Sequence, residues 1–165
     1  MVPLSLHSGY SLMQGTADVH ALCRHARQQG YTRLALTDTD NLYGLWPFLT
    51  ACRREGLRPI VGAEVTDRKT PCRAICLVKD RDGYSRLCRL LTERHTCEAF
   101  DLAAALGRLG KGLVVLSSHP DLLFAGRAAG LDMAAAMPEK PVPRVHPLRR
   151  CAEQLDLPLA AVPGS

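Results

Sequence analysis

The sequence predicts an α/β protein built on a largely parallel sheet, and three observations carry that expectation. Apolar runs of strand length alternate with segments whose apolar residues recur at helical spacing, joined by short links. The run at 112–117 is apolar almost throughout, as in strands covered on both faces. About seven such strands, with no glycine-rich nucleotide loop after the first, suit a barrel better than a two-sided open sheet.

Residues 2–6 read as a short buried strand. Thr16 can cap a helix whose apolar face is Val19, Leu22, Cys23 and Ala26, with Gly30 ending it at the C′ position. Residues 33–37 form the second strand, and a helix over 43–55 stops at Gly56. Pro47 falls early in that helix, where the first turn has no partners for its N–H groups.

Strands follow at 59–65 and 74–78. The run Asp82-Gly-Tyr-Ser then opens a helix carrying Leu87, Leu90 and Leu91, and Asp101 can cap another that runs to Leu109. After the strand at 112–117, a helix is expected over 119–129 and a short strand over 131–135. A proline-rich connection covers 138–147, overlapping a helix over 145–155, and a last strand covers 157–162. A barrel ending there needs further polypeptide to close, and only if none follows is a free strand edge near Leu159 expected to bring self-association or poor solubility.

A length of 165 residues fits one domain, with 47% hydrophobic and 22% charged residues. No apolar run approaches the roughly 20 residues that cross a bilayer, and the start Met1-Val-Pro-Leu-Ser-Leu lacks a charged leader, so a cytoplasmic protein with no membrane partner is expected. The seven cysteines fall mostly inside periodic apolar segments, which favours buried thiols over disulfides or a zinc ribbon. Net charge is +5 with a pI of about 9.0, but the surplus arginine is scattered. With no Lys/Arg block interleaved with aromatics, a solvated surface is favoured over direct DNA binding. The chain has no Gly-x-Ser-x-Gly elbow, no Gly-Lys-Ser/Thr phosphate loop and no Cys-x-x-Cys pair.

Four separated segments carry a resemblance. Leu6-His-Ser-Gly-Tyr-Ser-Leu-Met-Gln-Gly15, Ala35-Leu-Thr-Asp-Thr-Asp-Asn-Leu-Tyr-Gly44, Gly56-Leu-Arg-Pro-Ile-Val-Gly-Ala-Glu-Val65 and Lys79-Asp-Arg-Asp-Gly-Tyr-Ser-Arg-Leu-Cys-Arg-Leu-Leu91 follow one another in order. Together they resemble the PHP domain (polymerase and histidinol phosphatase) at the N-terminus of bacterial DNA polymerase III α subunits, including the error-prone type. The likeness is collinear over 2–165. It implies a distorted (βα)7 barrel, truncated before its last elements, as a single domain over 1–165. It also implies strand ends that hold divalent metals in some members and serve only as a scaffold in others.

Carried over residue by residue, that metal set is depleted. The opening His-x-His is Ser5-Leu-His7, the next aspartate is Gln14, and Thr39 follows Thr37-Asp38 where a histidine is expected. Glu64 matches its carboxylate. Arg73 takes the place of the histidine at the start of the fourth strand, bringing a fixed positive charge. His119 falls where a cysteine or histidine ligand is common, and the closing Asp-x-His, due near Gly164, has no aspartate.

The resemblance therefore leaves His7, Glu64 and His119 as vestigial metal ligands, too few for a cluster that polarises phosphate and activates water. Each also has a simpler reading. His7 can be a hydrogen-bonded strand-end histidine, Glu64 can pair with Arg73 across adjacent strands, and His119 can cap the helix beginning at Pro120. Asp38 and Asp40 are possible further ligands or ordinary turn and capping residues. His20, His25 and His95 fall on polar helix faces, where solvation is expected.

The function so implied is a PHP domain supporting a polymerase module, with no catalytic residue and no cofactor of its own. Its partners would be replisome proteins such as a proofreading exonuclease, and DNA indirectly. The alternative is a reduced phosphoesterase using Mn or Zn.

Overall fold

The computed structural model describes residues 2–11, 15–138 and 145–162. Its elements in chain order are α1 (Val19–Gln28), β1 (Arg33–Leu36), α2 (Leu45–Glu55), β2 (Arg58–Thr66), β3 (Arg73–Val78), α3 (Arg81–Thr96), α4 (Leu102–Gly107), β4 (Leu113–Ser117), α5 (Pro120–Ala128), β5 (Asp132–Pro138), α6 (Val145–Gln154) and β6 (Leu159–Val162). The expected alternation is present. Its seven or so strands become six among the described residues, in the order β1-β2-β3-β4-β5-β6.

The sheet is mixed rather than largely parallel. Three of its pairings are parallel, but β3 runs antiparallel to both β2 and β4. The cause is the link 67–72, far shorter than the dozen or so residues that a parallel crossover requires. It closes as a hairpin, with the Asp67 N–H donating to the Cys72 carbonyl at 2.9 Å.

One face of the sheet packs α3 to α6 over Val65, Cys76, Leu113, Val115 and Met133. The outer side of β1 meets α1 and α2 through Leu34 and Leu36. On the inner side, Ala35, Ile75, Leu77, Leu116, Ala134 and Ala136 form one cluster that also takes in Leu4, Ala160 and Val162. Residues beside the first strand and residues of the last thus share a core, so the sheet curls into a half-barrel.

Several ends fall elsewhere than the sequence suggested. Residues 2–6 are not a regular strand, although the Pro3 and Leu6 carbonyls accept from the N–H groups of Ala35 in β1 and Thr37 just after it. The α1 cap is Asp18, whose carboxylate accepts from the His20 and Ala21 N–H groups, not Thr16. Asp80 caps α3 through Gly83, and the helix therefore starts before Asp82. Asp101 caps α4 as expected, but the helix ends at Gly107. Strand β5 extends to Pro138, and only 139–144 of the proline-rich connection remain between elements, outside the described residues.

All seven thiols are free. Cys23 of α1 and Cys52 of α2 bring their sulfurs to 3.8 Å in the core between the two helices. The shared hydrogen bond lowers the Cys23 pKa and raises that of Cys52. Burial alone pushes the Cys76 thiol up to about 12.

Candidate functional site

Side chains alternate along β2, so Ile60 joins the inner cluster while Ala63 and Val65 join the outer one. Glu64 has the parity of Ile60 and points inward at the strand's tip, only 3% exposed. Strand β3 starts beside it, with Thr66 opposite Arg73 and Glu64 opposite Ile75. Arg73 is thus the diagonal neighbour of Glu64, and its Nη1 lies 3.3 Å from Glu64 Oε1.

His7 reaches the same oxygen from the N-terminal segment, with Nε2 at 3.8 Å. That nitrogen is buried and has no hydrogen-bond partner. His7 is therefore not the satisfied strand-end histidine that one reading expected. The pairing of Glu64 with Arg73 is present as anticipated.

Asp40 falls in a turn, as one reading had it, but neither Asp38 nor Asp40 caps α2. Asp38, 1% exposed, accepts from the Ser8 N–H at 2.7 Å, the Ser8 hydroxyl at 2.8 Å and the Ser11 hydroxyl at 2.7 Å. It fastens the N-terminal segment to the tip of β1. Helix α2 starts instead at Gly44, without a side-chain cap.

Asp40 has a positive φ of 55°, a conformation that aspartate tolerates better than most residues. That geometry aims its carboxylate at the Thr66 N–H (2.8 Å), the Thr66 hydroxyl (2.6 Å) and Arg94 Nη2 (3.2 Å). Arg94 also donates from Nε to the Thr66 carbonyl at 2.6 Å. His95, exposed as expected, also places Nε2 2.6 Å from the Asp40 carbonyl. Nothing in local sequence announces this network, because Arg94 and His95 come from the far end of α3.

The third proposed ligand, His119, occupies the N-cap position of α5 without a side-chain cap bond. Its N–H donates to the Ser117 hydroxyl, which donates in turn to the Arg73 carbonyl. Among the described residues, no group of three or more His, Cys, Asp or Glu side chains could hold a metal ion. The structure brings His7 and Glu64 together, with an arginine as their third neighbour. A guanidinium at that distance spends the carboxylate charge that a cation requires, so the residues present do not fit the expected metal cluster. Gln14 and Gly164 lie outside the described residues.

The fold is shared with two solved structures. One is a protein assigned as a metal-dependent phosphoesterase from Bifidobacterium adolescentis, with a TM-score of 0.69 at 16% identity over 98% of this chain and 86% of that one. Another is an amidohydrolase from Chromobacterium violaceum, at TM-score 0.62 and 16% identity over 99% and 86%. These likenesses establish the fold.

The chain belongs to the PHP domain family, which it matches over residues 3–153. It is 31% identical over 135 residues to the DNA polymerase III α subunit of Chlamydia trachomatis, covering 71% of this chain and 11% of that protein. Against an error-prone DNA polymerase of Anaeromyxobacter sp. strain K, identity is 36% over 101 residues, covering 59% and 9%. The Bacillus subtilis DNA polymerase III α subunit is 38% identical over 94 residues, covering 54% and 8%. The chain thus spans about a tenth of the length of the curated relatives that it matches. Among the described residues, no helix is long and apolar enough to cross a membrane.

Proposed function

We propose that this chain is the N-terminal PHP domain, over 1–165, of a cytoplasmic DNA polymerase III α-like protein, and that it acts as a non-hydrolytic scaffold. One observation carries the reading: each of the three carboxylates at the tips of β1 and β2 already faces protein donors. Asp38 faces two serines, Asp40 faces Thr66 and Arg94, and Glu64 faces Arg73. Protein donors thus take up the negative charge that a phosphoesterase would direct at cations. The names of the relatives support a polymerase module and a DNA-related setting. Replisome proteins such as a proofreading exonuclease are the proposed partners.

The second reading, a reduced phosphoesterase using Mn or Zn, draws on the unpartnered His7 Nε2 beside Glu64. Equilibration with Mn or Zn followed by desalting and elemental analysis separates the two. The scaffold reading expects no stoichiometric metal and no hydrolysis of a chromogenic phosphodiester. One bound equivalent, together with hydrolysis abolished by Glu64→Ala, overturns it.

A further inference from the structure

Large exposed aromatic side chains gather on one small surface. Trp46, the chain's one tryptophan, is 76% exposed, Tyr43 is 73% exposed and Tyr10 is 45% exposed. Tyr43 and Trp46 flank Gly44 in the chain, and a Cβ added at Gly44 would lie 3.1 Å from the Tyr10 ring. Asn41 holds the arrangement in place. Its amide donates to the Tyr10 carbonyl at 3.1 Å, and its side-chain oxygen accepts from the Tyr43 N–H at 3.0 Å.

Cations continue the same surface. Arg53 follows Trp46 by seven positions on α2, so two helical turns place it on the same line about 10 Å away. The residue between them on that line, Thr50, is exposed too, as are Arg53 and Arg54. The one acid of α2, Glu55, falls on the opposite side of the helix, nine positions after Trp46. Asp38 and Asp40, the acids nearest in sequence, are turned inward onto Ser8, Ser11, Thr66 and Arg94. The line from Trp46 through Thr50 to Arg53 on α2 thus carries an aromatic face and a guanidinium group and no acid of that helix.

We propose that this face of α2 and the preceding loop binds single-stranded DNA. A base stacks on Trp46 beside Tyr43, and Arg53 and Arg54 take the adjoining phosphates. Aromatic platforms next to cations bind single strands of any sequence, because every base has a face to stack and every nucleotide a phosphate. Positive charge at one end of the stripe fits a polyanion better than it fits an apolar protein segment. The scattered arginines hid this in the sequence, where Trp46 and Arg53 are not neighbours. The proposal is independent of whether the strand tips bind metal.

Trp46 reports on its own surface. Titrating the 165-residue chain with an oligothymidylate about sixteen nucleotides long should quench its fluorescence saturably, and more strongly than the same length of duplex. Trp46→Ala, followed by anisotropy of a labelled strand, should weaken binding about tenfold. Arg53→Ala should weaken it less and flatten the dependence of log affinity on log salt by about 0.7. Both side chains are exposed, so thermal melts should match the wild type. Wild-type fluorescence that does not respond to the strand overturns the proposal without any variant. Affinity unchanged by Trp46→Ala also overturns it, as does shielding of Trp46 only by an added protein module.

Discussion

Beneath α3 to α6 the sheet buries Leu106, Leu113 and Leu123 among other apolar side chains, whereas the tips of β1 and β2 bury Asp38 and Glu64. The first region gains from each apolar group removed from water. The second starts from a penalty, since a buried carboxylate costs several kcal/mol until donors offset it. An interior assembled for stability alone has no reason to place charge at strand ends. The carboxylates placed there each face protein donors, Asp38 two serines and Glu64 the Arg73 guanidinium.

If that contrast holds, the polar tips are as brittle as the apolar core. Leu113→Ala should cost about 4 kcal/mol through lost transfer energy and a cavity under the helices. Asp38→Ala should cost about 3 kcal/mol, because the Ser8 N–H and the Ser8 and Ser11 hydroxyls lose their common acceptor in a buried setting. Denaturant midpoints at constant slope measure both. An Asp38→Ala cost below about 0.5 kcal/mol would mean that the N-terminal segment is not held by this carboxylate, and the comparison would fail.

A smaller effect sharpens the same point at Glu64. Arg73→Met should destabilise by about 2 kcal/mol, an intermediate figure because the Arg73 side chain is 38% exposed while that of Glu64 is 4% exposed. The double variant with Glu64→Leu should recover most of that loss, since removing both charges also removes the desolvation cost. The double-mutant cycle isolates the coupling. Additive losses would show that Glu64 is held by something other than Arg73.

Legibility in the sequence followed the same division. Periodicity located every helix and all six described strands, because residues such as Leu87, Leu90 and Leu91 share one buried stripe. Local chemistry also placed the Asp101 cap and the left-handed Gly56 at the end of α2. It misjudged the 67–72 link, where the brevity of the connection fixes strand direction more firmly than the α/β alternation does. At the tips, the Glu64 and Arg73 pair was within reach because consecutive strands are neighbours. The partners of Asp38 and Asp40 were not, since Ser8 and Arg94 lie far away in sequence and only the curl of the sheet brings them in. Trp46 and Arg53 read as scattered residues until helical geometry aligned them.

The smallest expected effect concerns a carboxylate that no motif marked. Asp67 accepts from Lys69 and Thr70 N–H groups within the β2–β3 hairpin and from the Leu102 N–H at the start of α4, each at 2.8 Å. Burial by itself would raise its pKa, but these donors and the Thr70 hydroxyl outweigh it and hold the carboxyl below its ordinary 3.8. A folded value below the unfolded one means that the unfolded chain takes up the proton first. The stabilisation is then complete above about pH 5 and is lost as pH falls through the folded value. Asp67→Asn removes that titration while keeping an oxygen acceptor. The stability gap between wild type and Asp67→Asn should therefore narrow from neutral pH to about pH 3. A gap constant across that range would leave the hairpin and α4 joined by something other than this charge, making the link 67–72 one more apolar contact of the outer face rather than a polar joint like the strand tips.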